Sequence, residues 1–186
     1  MKDGARLQDK SASETAELLN VTLDDALLLL RYHKWSEDAL SEAFFADPES
    51  AQRASGVRCH DCAPPRPPDG QCGICYTDPP IAVLPCGHSS YCGGCWAEYV
   101  RTAVEGGKGC LDLTCPTSNC NERLRPSHVR RFCPRELFGS YERFLLESFV
   151  DVNPALAWCP GRGCDRACQV PASSTPVHVQ CPCGAQ

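Results

Sequence analysis

Apolar positions recur at helical spacing in two stretches near the amino terminus. Leu23, Ala26, Leu27 and Leu30 set the first rhythm, and Ala39, Leu40, Ala43 and Phe44 the second. Thr22 is placed to cap the first helix, with Asp24 and Asp25 in its first turn, where negative charge favours the helix dipole. Ser36 opens the second, followed by Glu37 and Asp38. Asp47-Pro48-Glu49 marks a third start, with Pro at the first helical position. The pattern predicts a small three-helix bundle over residues 13–56, preceded by a disordered tail at 1–12. A further helical stripe runs through Leu137, Tyr141, Phe144, Leu145 and Phe149, predicting a helix over 134–150. Its first reading is a packing face. Between these regions the periodicity fails: residues 72–120 carry Gly- and Pro-rich turns around Cys.

Composition explains how such a chain folds without a conventional core. Of 186 residues, 16 are Cys, all from Cys59 onward. Without Cys, the 42% apolar fraction drops to about a third, so the carboxy-terminal modules need staples. The longest apolar run, Ala26 to Leu30, is far below the roughly 18 residues of a membrane span. The charged start MKDGARLQDK lacks the apolar stretch of a secretory signal, and the expected location is cytoplasmic and/or nuclear. Net charge is −5 with no Lys/Arg block, which argues against nucleic acid as partner. In a reducing compartment this Cys density favours metal over disulfides. The segment APPRPPDG, residues 63–70, holds four Pro and reads as an extended linker, placed at 57–70.

The Cys and His spacing carries the chemistry. Cys72, Cys75, Cys86, His88, Cys92, Cys95, Cys115 and Cys120 follow C-x2-C-x10-C-x-H-x3-C-x2-C-x19-C-x4-C. Zinc takes four thiolate or imidazole ligands in a tetrahedron, and two C-x2-C turns each bring two thiolates to one ion. Eight ligands fill two closed sites, leaving no open position for a hydrolytic water. As disulfides, such close neighbours would close tiny loops that restrict the unfolded chain little. His88 would have no role in a disulfide framework. A rival four-thiolate site could combine the spare knuckle Cys59-His60-Asp61-Cys62 with Cys72 and Cys75, but it would strand Cys92 and Cys95.

With His fourth among the ligands, this block resembles the RING finger, which in many ubiquitin ligases binds a ubiquitin-conjugating enzyme. The resemblance implies a cross-brace over residues 71–125. Cys72, Cys75, Cys92 and Cys95 would hold one zinc ion; Cys86, His88, Cys115 and Cys120 would hold the other. It also implies contacts with the conjugating enzyme at Ile74, Trp96 and Pro116. Trp96 packing on the following helix is the bland alternative. The x4 spacing of Cys115 to Cys120, and Asn121 where many RINGs place a cation, resemble the first RING of RING-between-RING ligases.

After a helical linker, 126–157, Cys159, Cys164, Cys181 and Cys183 resemble the start of an in-between-RING zinc domain. That domain is placed at 158–186 and expected to be incomplete, with one zinc ion bound by ligands taken in sequence. Tyr32-His33-Lys34-Trp35, followed by Ala43-Phe44-Phe45, resembles the UBA-like domain of the Ariadne subfamily. The resemblance covers roughly residues 13–186. It implies small zinc-stapled α+β modules behind a UBA-like bundle. Its implied partners are ubiquitin and a ubiquitin-conjugating enzyme carrying it, with a neddylated cullin-RING ligase as a further one. Ubiquitin would pass to a cysteine of a second RING beyond this sequence, so no catalytic residue is assigned here. A stand-alone RING ligase and a non-catalytic zinc adaptor are the alternatives. Cys110, Cys133 and Cys168 fall outside the ligand pattern and read as small buried or surface thiols. His128 and His178 read as surface histidines.

Overall fold

The computed structural model describes residues 4–57, 70–81, 83–88, 90–162, 164, 166–170, 181 and 183–184. Seven helices dominate the described residues. Helices α1 (Gly4–Leu19), α2 (Leu23–Tyr32), α3 (Glu37–Ala46) and α4 (Pro48–Ala54) form the amino-terminal bundle. After α5 (Gly93–Glu105) come a 3-10 turn (Lys108–Asp112), α6 (Pro126–Phe132) and α7 (Arg135–Val150). Strands β1 (Leu156–Trp158) and β2 (Ala167–Gln169) pair antiparallel, with Ala157 opposite Cys168. No helix among the described residues is long and apolar enough to cross a membrane.

The three expected helix starts lie where their caps place them. Thr22 Oγ1 accepts from the Asp25 amide at 3.1 Å, Ser36 Oγ from Ala39 at 3.2 Å, and Asp47 Oδ1 from Ser50 at 3.0 Å. Each satisfies a donor that the first helical turn leaves open. Leu28, Leu29, Leu30 and Leu40 fill the bundle's interior.

The disordered tail expected at 1–12 is corrected for the described residues 4–12, which are the first turns of α1. The buried stripe of this helix is Gly4, Gln8, Ser11, Ala12, Thr15 and Leu19. It is helical in period, but five of its six members are small or polar, so hydrophobic patterning does not reveal it. The bundle therefore has four helices rather than three. Most of the Pro-rich linker, with the spare knuckle Cys59 to Cys62, lies outside the described residues, as does His178.

Helix α7 is the spine that joins the modules. Tyr141, Leu145 and Phe149 of its predicted stripe are buried, and Leu137 and Phe144 half-buried. Trp35 sets its ring edge-on against Phe149, with centroids 5.0 Å apart, and donates its indole N–H to Ser148 Oγ at 3.2 Å. Helices α5 and α6 pack together around Trp96, and a single core cluster runs from the bundle through α5 and α7 to β1. The bundle's last turn is fixed to the Cys-rich module at Gly56, whose carbonyl accepts from the Arg123 amide at 2.8 Å. Its φ is +74°, and a Cβ there would meet Asn121 O at 2.8 Å, so glycine suits this contact on both counts.

Candidate metal centres

Three groups of four ligand atoms converge, with all atoms of a group within 4.8 Å of one another. The first is Cys72, Cys75, Cys92 and Cys95. The second is Cys86, His88, Cys115 and Cys120. The third is Cys159, Cys164, Cys181 and Cys183. The first two interleave along the chain, so each loop between knuckles is held at both ends by different groups. The third takes its members in sequence.

Local backbone geometry makes these clusters. Cys92 is the N-cap of α5, its sulfur accepting from the Cys95 amide at 3.4 Å. A helix amino terminus favours a thiolate. Cys72 Sγ accepts from the amides of Ile74 at 3.4 Å and Cys92 at 3.3 Å. The x4 spacing between Cys115 and Cys120 is taken up by a turn, with the Cys120 amide on Thr117 O at 3.2 Å and Asn119 at φ +62°. Two single β-bridges, Ile81 with Tyr91 and Thr114 with Arg123, brace the knuckles from outside.

The spacing of the sulfurs matches zinc. A tetrahedron with arms of about 2.3 Å has S···S edges of about 3.8 Å, against about 2.05 Å for a disulfide. Cys72 and Cys95 lie 3.6 Å apart, Cys75 and Cys92 3.7 Å, Cys159 and Cys183 3.4 Å, and Cys164 and Cys181 3.6 Å. In the second group His88 presents Nδ1 to Cys115 Sγ at 3.5 Å. All 14 described Cys are free thiols. Thiolate and imidazole donors, four to a group, are the set that zinc prefers.

Each group contains a thiol poised to ionise. Hydrogen bonds from the Asp78 amide and the Thr77 hydroxyl hold Cys75 down to about 6. Cys115 is held at about 5, chiefly by its hydrogen bond with Cys86, and that same bond pushes Cys86 up. The Cys183 amide lowers Cys181 to about 7. A thiolate among thiols is the state from which a dication displaces the remaining protons.

The thiols outside these groups differ. Cys110, Cys133 and Cys168 are buried, and desolvation pushes Cys110 up to about 11 and raises Cys133. Their reading as small core residues fits this environment, which disfavours a nucleophilic thiolate. His128 is not a surface histidine: it is half-buried, and its Nδ1 accepts from the Arg125 amide at 3.2 Å at the start of α6.

The expected partner surface needs one correction. Trp96 is 1% exposed, stacked on Phe132 at 5.9 Å and edge-on to Tyr91 and Tyr99. It is the core of the Cys-rich module, because the first turn of α5 points it inward beneath the knuckle. Ile74 is 55% exposed, and Pro116 is half-buried with its carbonyl accepting from Tyr91 Oη at 3.4 Å. Tyr76, absent from the sequence reading, is 68% exposed in the same knuckle as Ile74. The signal available for it was its place directly after Cys75.

Comparison with known proteins adds to this geometry. The family described as "IBR domain, a half RING-finger domain" matches residues 139–186. The family described as "E3 ubiquitin-protein ligase ARIH1, UBA-like domain" matches residues 6–46, which takes in most of α1. Probable E3 ubiquitin-protein ligase ARI7 of Arabidopsis thaliana is 32% identical over 186 residues, covering 98% of this chain and 33% of the relative. Probable E3 ubiquitin-protein ligase ARI8 of the same plant is 30% identical, covering 97% and 32%. Ankyrin repeat and IBR domain-containing protein 1 of Homo sapiens is 29% identical, covering 89% and 18%. The chain thus spans about a third of the length of the two plant relatives.

Proposed function

The chain belongs to the Ariadne-like RING-between-RING family, and from that premise we propose that it is the conjugating-enzyme-recruiting part of a ubiquitin-protein ligase. The observation that carries the reading is the pair of interleaved four-ligand groups with Ile74 and Tyr76 exposed on the first knuckle. An apolar pair on a metal-stapled loop is a surface suited to binding. Ile74, Tyr76 and Pro116 contact a ubiquitin-conjugating enzyme carrying ubiquitin. Three zinc ions, one per group, hold the modules rigid and take no part in bond making, because four protein ligands leave no open position.

The receiving thiolate belongs to a second RING outside these 186 residues. Every described Cys is either a member of a four-ligand group or buried. Ubiquitin leaves the conjugating enzyme's thiol for that cysteine, thioester for thioester, and then passes to a substrate lysine amine. The reduced thiol clusters suit a cytoplasmic or nuclear setting.

The test uses the zinc-loaded chain and a ubiquitin-charged conjugating enzyme. Elemental analysis should return about three zinc ions per chain. The chain should bind the charged enzyme without speeding ubiquitin discharge onto free lysine. Acceleration of that discharge would instead establish a stand-alone RING ligase. A zinc-free protein with intact disulfides would overturn the metal assignment.

A further inference from the structure

Helix α1 reaches beyond its own bundle. At position 11 it meets α3, where Ser11 Oγ donates to Glu37. One turn earlier, Gln8 Nε2 donates to the backbone carbonyl of Leu145 in α7 at 2.9 Å, a buried bond between residues 137 positions apart. One turn earlier still, Gly4 lies against Ala167 in β2. A Cβ at residue 4 would stand 2.6 Å from Ala167 Cβ and 3.3 Å from its carbonyl oxygen. Three turns of one helix thus touch the bundle, the spine and the hairpin in succession.

The adhesion is of an unusual kind. Leu19 is the one large apolar residue on the buried stripe, and it lies at the far end from these contacts. Burial of small and polar surface supplies little of the area-dependent drive for packing. Open clefts flank the same half of the helix. One lies between α1, α2, α6 and α7 over Leu23, Leu27 and Phe138; the other lies over Trp35, Phe149 and Leu156. Toward its amino end this segment is held by the close approach of Gly4, the hydrogen bonds of Gln8 and Ser11, and only one large apolar side chain, the half-buried Leu7.

We propose that residues 4–12 are a releasable strap. Docked, they fix the β1–β2 hairpin, and with it the Cys159–Cys183 group, against α7 and the amino-terminal bundle. Undocked, they free the hairpin to reorient about the turn that follows α7. The strap therefore sets the angle between the two-site module and the sequential one.

Amide hydrogen exchange on the zinc-loaded full chain tests this, because it reads docking whether or not the chain handles ubiquitin. Alanine in place of glycine ordinarily favours a helix. Here Gly4→Ala should speed exchange across residues 4–12 and 156–169 by about tenfold or more, with α5 unchanged. Adding Ala167→Gly removes the Cβ that Gly4→Ala would strike and should recover much of the protection. Gln8→Ala, which removes the α1 donor from a Leu145 carbonyl that keeps its bond from Ser148 Oγ, should speed the same two segments. Unchanged or slower hairpin exchange in either single variant would overturn the strap. So would acceleration that spreads equally to α5, or that Ala167→Gly does not reduce.

Discussion

Arg125, at the start of α6, reaches across 100 positions of sequence to Asp25 in α2, Nε to Oδ1 at 2.6 Å. The same guanidinium holds Glu122 at 3.0 Å and the Val57 carbonyl at 3.0 Å. Glu122 is 1% exposed and sits two residues beyond Cys120, and its carbonyl accepts from the Cys115 amide at 2.8 Å. One arginine therefore joins α2, the bundle's last turn and the loop carrying the final ligands of the second group. Arg125→Ala would take one charged partner from the buried Glu122 carboxylate, a loss of about 1.5–3 kcal/mol. Asp25→Asn keeps the Glu122 pair and should cost less. Urea unfolding of the zinc-loaded protein, followed by tryptophan fluorescence, would give both values. Equal losses would show that the Asp25 contact, not the burial of Glu122, dominates.

Ile74 and Trp96 should separate binding from stability. Trp96→Ala removes a fully buried ring that stacks on Phe132, and should cost about 3–5 kcal/mol. Ile74→Ala changes an exposed side chain and should shift stability by no more than about 0.5 kcal/mol. On the proposed reading, Ile74→Ala weakens capture of a ubiquitin-conjugating enzyme by about tenfold, as loss of a contact worth more than 1 kcal/mol would. Tyr76→Ala should act in the same direction. Titration calorimetry beside thermal melts would check both axes. Retained affinity in Ile74→Ala and Tyr76→Ala would remove this knuckle from the interface.

Much of this was legible because local chemistry fixes it. Thr22, Ser36 and Asp47 announce their helices through caps that act within three residues, and the ligand spacing separates metal from disulfide without any tertiary information. Two kinds of feature escaped. Helix α1 is held by Gly4, Gln8 and Ser11, whose partners Ala167, Leu145 and Glu37 lie far along the chain, so no periodicity of apolar residues exposes it. Trp96 has the sequence position of a contact residue, yet its burial depends on Phe132 of α6 and Tyr91 before α5 closing over it together with Tyr99 of its own helix. A buried Arg–Glu–Asp junction such as Arg125, Glu122 and Asp25 likewise leaves no local mark.

Removal of metal should divide the chain. Structural zinc contributes on the order of 10 kcal/mol per site. The ligand-bearing loops have little else, since the large apolar side chains of the continuous core lie mostly on the helices beside them. Helices α2 and α3 have their own interior in Leu28, Leu29, Leu30 and Leu40. Chelation should therefore unfold residues 72–183 while the amino-terminal helices persist in part. Far-ultraviolet circular dichroism should lose a fraction of its helical signal, and exchange protection should survive in α2 and α3 alone. A chelated chain that keeps protection in α5 would show that its ligand groups are dispensable.

Stability should fall on mild acidification through His128. Burial lowers its pKa below the ordinary 6.5, and the nearby Arg125 charge adds to the effect. Asp24 and Asp25 pull the other way without reversing it. The fold needs the neutral ring, because Nδ1 accepts the Arg125 amide proton at 3.2 Å. Below pH 6.5 the unfolded chain takes up a proton that the folded chain refuses, so stability drops as pH falls from 6.5 toward the lowered folded value and is fully present above 6.5. His33, also lowered by burial, contributes in the same direction. His128→Gln removes the titrating group while keeping an acceptor for the Arg125 amide. Between about pH 5 and 6.5 the variant should therefore lose less stability than the parent, and above pH 7 the difference should be constant. Urea midpoints measured at each pH in zinc-containing buffer would show this. Parallel curves for the two proteins would mean that His128 does not titrate across folding.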